Sequence, residues 1–134
     1  MLEVPQRLVT EMFAHAIAGL PDEACGLVAG PAGGTRLDVF YPCGNTAASS
    51  TLYNVDAGDH LRADRDADER GMEIVGVVHS HTHTEAYPSA TDVEQAPDPS
   101  WHYLLVSLRE PTPSLRSYRI AEGQITETAV SVTD

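Results

Sequence analysis

The chain has 134 residues, 42% of them hydrophobic, with 20 acidic against 8 basic side chains and a net charge of −12. Such a length and apolar content fit one globular domain over residues 1–134, with a radius of gyration of about 14 Å, and argue against wholesale disorder. The acidic balance argues against nucleic acid or an anionic membrane as a partner, because both are gripped by Lys and Arg, and here every basic residue is Arg.

In chain order, Leu8, Val9, Met12, Phe13, Ala16 and Ile17 recur at the helical period, and Gly19 with Pro21 ends the pattern. The first expected element is therefore a helix with a core-facing stripe. The apolar run 25–30 reads as a strand and is followed by a Gly-rich turn at 31–34. The alternation over 37–41 predicts a second strand that closes a hairpin. Residues 44–52 are small and polar, hence a loop. The charge-dense stretch 56–70 reads as a solvated helix, weakened by Gly58.

Residues 74–78 and 103–107 are continuous apolar runs, typical of strands covered on both faces. Residues 115–120 and 124–132 alternate around the Glu122-Gly123 turn and predict a C-terminal hairpin. Helices and strands intermix with neither repeat nor linker. The expected class is α/β, a mixed sheet with flanking helices.

The longest apolar run falls far short of the roughly 20 residues that span a bilayer. Residues 1–20 carry Glu3 and Glu11 and no positively charged n-region, so they do not read as a signal peptide. Two cysteines, Cys25 and Cys43, make no disulfide framework. The expected compartment is the cytoplasm, and Cys25 reads as a small buried side chain. The oligomeric state is left open by the sequence.

The chemistry concentrates after the strand at 74–78. His79 and His81 share a parity, so both imidazoles can point one way and reach one metal at about 2.0–2.1 Å. Ser89-Ala90-Thr91-Asp92 follows a polar loop. His79, His81 and Asp92 would supply three ligands to zinc and leave a fourth position for water, as a hydrolytic site requires. Ser89 and Asp92 also look like a helix cap, with Asp92 at the third helical position. The two readings are compatible, because a cap would hold Asp92 rigidly. His83 shares the parity but reads as a loop residue. His15, His60 and His102 have no partners in sequence. A hydrolytic zinc also needs a carboxylate base, and there is no His-Glu-x-x-His here. Glu23 is a candidate that spacing alone cannot select among the 20 acids.

His79-Ser80-His81, seven residues, Ser89-x-x-Asp92 and the upstream Glu23 before Cys25-Gly26-Leu27 together resemble the JAMM (MPN-plus) metalloprotease family over essentially the whole chain. The resemblance implies a layered, cytidine-deaminase-like sheet with flanking helices and a single zinc ion carrying a water. It implies His79, His81 and Asp92 as ligands, Glu23 as general base and Ser89 as a stabiliser of the tetrahedral intermediate. Longer strings, 21–26, 79–82, 84–89 and 115–120, are similar to the short actinobacterial Mec-type peptidases of that family.

Those peptidases release cysteine from the C-terminal Gly-Gly of a ubiquitin-like, β-grasp sulfur carrier protein, so the implied partner is such a carrier. Trimming or deconjugating another ubiquitin-like protein is the alternative, and a non-enzymatic MPN scaffold a third. His83 departs from the pattern, which expects a small residue there. Leu52, Tyr53 and the loop from Gly44 are the expected tail-binding positions.

Overall fold

The computed structural model describes residues 1–134. The chain runs β1 (Leu2–Pro5), α1 (Gln6–Gly19), β2 (Cys25–Gly30), β3 (Val39–Cys43), α2 (Ala57–Glu69), β4 (Glu73–His81), α3 (Ala90–Glu94), β5 (His102–Ser107), β6 (Ser114–Ala121), β7 (Gln124–Thr128) and β8 (Val130–Thr133). Six strands form one sheet in the order β3-β2-β4-β5-β6-β7. Only β4 and β5 pair in parallel, and the other neighbours are antiparallel. This is the mixed sheet with flanking helices that the sequence predicts.

Strand alternation divides the core in two. Val28, Val78, Leu104 and Val106 face α1, where they pack with Leu8, Met12 and Ala16. Leu27, Val77, Tyr103 and Leu105 face α2 and pack with Ala63. The middle strands are apolar on both faces because each face carries a helix. Gly76 lets β4 and β5 close up, since a Cβ there would collide with the His102 carbonyl oxygen. No helix is long and apolar enough to cross a membrane.

Three expectations change. Ile17 belongs to the predicted core stripe of α1 but is exposed, because the stripe turns away from the sheet at the helix end. The strand expected over 124–132 is two strands. β7 pairs with β6 across a turn in which Glu122 and Gly123 both have positive φ, 50° and 76°. After Ala129 the chain leaves that sheet, and β8 pairs in parallel with β1. The alternation continues through Ala129, so the change of partner has no local mark. The third change is at β4, which extends past residue 78 and carries both His79 and His81 within the strand.

Candidate active site

Because β4 continues to His81, its last residues keep strict alternation. His79 and His81 share the parity of Val77 and face α2, while Ser80 points to the opposite face. The loop after β4 leads to α3, and Ser89 caps that helix. Ser89 Oγ accepts from the Asp92 N–H at 3.1 Å, and Asp92 Oδ2 accepts from the Ser89 N–H at 2.9 Å. This capping box presents Asp92 to the strand. Asp92 Oδ2 lies 3.2 Å from His79 Nε2 and 3.0 Å from His81 Nε2. The cap reading and the convergence of the three side chains therefore hold together.

The donor set suits a metal ion. One nitrogen or oxygen from each of His79, His81 and Asp92 lies within 4.8 Å of the others. The Glu85 carbonyl accepts a hydrogen bond from His81 Nδ1 at 2.9 Å, which leaves Nε2 of the neutral ring with a lone pair aimed at Asp92. Two lone pairs facing each other at 3.0 Å call for a shared proton or a cation between them. Burial works to raise the Asp92 carboxyl, but the two imidazoles, with a proton shared between ring and carboxylate, and the Ser89 N–H outweigh it and hold the group well below the usual carboxylate range. His79 is further held by Tyr53, whose ring stacks on it with centroids 4.2 Å apart and planes at 19°.

Glu23 stands immediately before β2. It is 5% exposed, and its Oε1 is buried without a hydrogen-bond partner. Its backbone is anchored on both sides: Glu23 N–H donates to Ser49 O at 2.7 Å, and Asn45 Nδ2 donates to Glu23 O at 2.9 Å. Burial pushes the carboxyl up to about 7, against a pull from His81 and with a further push from Asp92. Glu23, His81, His83 and Ser89 line one cavity of about 200 Å³. A larger cavity of about 500 Å³ lies at the other end of β4 and β5, around Glu73 and His102, and holds none of these groups.

The structure thus brings together Glu23, His79, His81, Ser89 and Asp92. His83 does not join the triad; it is exposed at the cavity rim, with Nδ1 2.7 Å from Thr82 Oγ1. Cys25 and Cys43 face each other in the β2–β3 register as free thiols, and burial pushes them up to about 12 and about 11. Such thiols are poor nucleophiles.

Sequence reasoning missed Asn45 and Ser80. Asn45 braces the loop before Tyr53 by accepting from Ala47 N–H at 3.0 Å and Asn54 N–H at 2.9 Å. The side chain of Ser80 accepts from Ala24 N–H at 2.8 Å. The strand parity already sent Ser80 away from the metal donors, but nothing local named its partner.

A family model described as prokaryotic homologs of the JAB domain matches residues 5–121. The chain belongs to this JAB-domain family. The resemblance carried by Glu23, the two histidines, Ser89 and Asp92 is therefore to the right family. Among its JAB-domain relatives, the CysO-cysteine peptidase of Mycobacterium tuberculosis is 45% identical, over 100% of this chain and 92% of that protein. The desampylase of Haloferax volcanii is 32% identical over 72% of this chain and 73% of its own length. A solution structure of a protein from Desulfitobacterium hafniense superposes with a TM-score of 0.91 at 35% identity, covering 100% of this chain and 94% of that one.

Proposed function

We propose that residues 1–134 form a single metallopeptidase domain of this family that cleaves the amide bond after the C-terminal Gly-Gly of a ubiquitin-like sulfur carrier protein and releases cysteine. The observation that carries the reading is the buried, unpartnered Glu23 Oε1 in a cavity shared with His81 and Ser89, beside the converging donors of His79, His81 and Asp92. The 45% identity to a CysO-cysteine peptidase over the full chain supports the substrate class. The desampylase relative supports a second reading, removal of a ubiquitin-like protein from another conjugate. A cytoplasmic setting agrees with two buried cysteines kept as free thiols.

His79, His81 and Asp92 would hold one zinc ion, two nitrogens and one oxygen being a donor set this ion accepts. When bound, zinc supplies Lewis acidity, which polarises the scissile carbonyl and makes a coordinated water acidic near pH 7. Glu23 takes a proton from the attacking water at Oε1, its raised affinity for protons suiting it to accept near neutrality. Water oxygen adds to the glycyl carbonyl carbon. The Ser89 hydroxyl already accepts from Asp92 N–H, so its own hydrogen is free to donate to the carbonyl oxygen as negative charge develops there. The C–N bond then breaks, and Glu23 returns the proton to the leaving nitrogen.

The reading is tested by incubating the zinc-loaded protein with a carrier ending in Gly-Gly-Cys and, separately, with ubiquitin-like conjugates, and weighing the products. Loss of one cysteine residue from the carrier is expected. Preferential cleavage of the conjugates would move the assignment to the second reading.

A further inference from the structure

Thr84, Glu85 and Ala86 lie in the loop between β4 and α3, and their three carbonyls have different partners. The middle one, Glu85 O, accepts from His81 Nδ1 at 2.9 Å and from the Tyr87 N–H at 2.8 Å. The carbonyls on either side are taken by hydroxyls from neighbouring strands. Ser107 of β5 donates to Thr84 O at 2.6 Å, and Tyr118 of β6 donates to Ala86 O. A carbonyl only accepts, so each hydroxyl hydrogen is committed to the loop. Ser107 Oγ in turn accepts from the Arg109 N–H at 3.3 Å, and Ser107 stands beside His81 in the β4–β5 register. Ser107 and Tyr118 are both buried, and Tyr87 meets the Tyr118 ring edge-on, with centroids 5.6 Å apart and planes at 82°. Thr84 and Glu85 are themselves exposed, so the two hydroxyls, rather than buried side chains of these residues, hold this stretch against the sheet.

The structure assigns Ser107 and Tyr118 as positioning residues of the metal site: by holding the carbonyls on either side of Glu85 they aim the Glu85 carbonyl at His81 Nδ1, and so keep His81 Nε2 turned toward the ion beside Asp92. The inference rests on the metal site of the proposed function and adds two residues outside its donor set. An imidazole ligand is free to swing about its Cβ–Cγ bond unless its other nitrogen has a fixed partner, which sets both the tautomer and the ring plane. A loop carbonyl serves as that partner only while its own peptide stays in place. With the peptides before and after it pinned, the one motion left to the Glu85–Ala86 peptide is a flip, and the Tyr87 N–H on the same oxygen opposes it. His79 has a separate support in the stacked Tyr53 ring, so the two hydroxyls act on His81 alone.

The test uses the full chain. Tyr118→Phe and Ser107→Ala each remove one hydroxyl, and Ser117→Ala removes a buried hydroxyl of the same strand as Tyr118 that has no partner, which makes it the control. Two quantities are read: the Kd for zinc, by competition with a chromophoric chelator, and the solvent exchange of the His81 Nδ1 proton, by NMR of the zinc-saturated proteins. The double variant Ser107→Ala/Tyr118→Phe is expected to bind zinc about ten- to a hundredfold more weakly, the usual worth of an outer partner of a ligating imidazole. Each single variant should lose about threefold or more, and Ser117→Ala should match the wild type. The Nδ1 proton should exchange faster in the double variant and at the wild-type rate in Ser117→Ala. Should the double variant fail to fold, Tyr118→Phe, which keeps the ring, decides by the same two readouts. If either readout stays at the wild-type value, or if Ser117→Ala weakens zinc equally, the hydroxyls serve the fold alone; that result would overturn the inference and leave the metal site standing. A wild-type protein that takes up no zinc would overturn both.

Discussion

Ser80 and Ala24 hold each other through two hydrogen bonds: Ser80 Oγ accepts from Ala24 N–H at 2.8 Å, and Ser80 N–H donates to Ala24 O at 2.9 Å. Ser80 lies between the two histidines and Ala24 directly follows Glu23, so this pair ties the carboxyl to the strand that carries His79 and His81. Ser80 is 1% exposed, so Ser80→Ala leaves a buried N–H without its partner, at a cost of about 1–3 kcal/mol. Urea unfolding should show that loss. With metal content unchanged, kcat should fall about tenfold, because Glu23 is no longer held at reacting distance.

Glu23→Gln keeps the shape of the side chain and removes its ability to take a proton. Metal content should stay at the wild-type value while kcat falls by about two to four orders of magnitude, the usual worth of a positioned base. Hydrolysis within tenfold of wild type would sink the assignment of Glu23.

His79, His81 and Asp92 belong to two separate elements, β4 and the first turn of α3, so an ion held by them joins those elements. Chelation should lower the unfolding midpoint. At free metal a hundredfold above Kd the ion contributes about 2.7 kcal/mol. His81→Ala should be less stable than the loaded protein and should show no further change on adding chelator. A chelator-induced shift that survives in His81→Ala would place the ion elsewhere.

His102 supplies a pH dependence far from the reacting groups. It is 3% exposed, and its Nδ1 is buried without a partner. Burial, aided by the Arg119 charge, lowers the imidazole from 6.5 to about 4. The unfolded chain therefore takes a proton below about 6.5 that the folded chain refuses until about 4, so stability is complete above 6.5 and falls as pH drops through that window. Urea midpoints of the metal-free protein at pH 7.5 and pH 5 should differ, and the difference should shrink in His102→Gln.

The helix α2 and its flanks present Asp56, Asp59, Asp64, Asp66, Asp68 and Glu69 against Arg62, Arg65 and Arg70. Arg62 pairs with Asp59 and Arg70 with Asp66, so the uncompensated charge on this face is negative. A carrier with a basic patch would be drawn to it. Raising salt from about 0.05 to about 0.5 M should lower kcat/KM on the carrier several-fold, while a short peptide ending in Gly-Gly-Cys should be hydrolysed at an unaltered rate. Equal salt dependence on the two substrates would remove the electrostatic role.

Much of this was legible in particular residues. The 3.6 period of Leu8, Met12 and Ala16 marked α1, the run Val77-Val78 marked β4, and the turn at Glu122-Gly123 marked the β6–β7 hairpin, because each pattern lies within one turn or one strand. The shared parity of His79 and His81 allowed both imidazoles to face one point, and Ser89 with Asp92 announced a cap. The pairing of β1 with β8 was not legible. Its four residue pairs, such as Val4 with Val132, are separated by nearly the whole chain, and each strand is too short to stand out. Nor did anything local link Tyr53 to the ring of His79 or Ser80 to Ala24.

The sequence by itself determined the donor types, their order and the face of β4 from which two of them project, since these follow from residue identity and the two-residue period of a strand. Spacing left open which carboxylate stands near them, the family resemblance pointed to Glu23, and only the tertiary structure decided the contacts that place it there. Among 20 acids, Glu23 lies buried with an unpartnered oxygen beside His81, because β2 pairs with β4 and because Ser49, Asn45 and Ser80 hold the backbone on either side of it. Burial and proximity are properties of contacts between distant segments, and no spacing along one segment contains them.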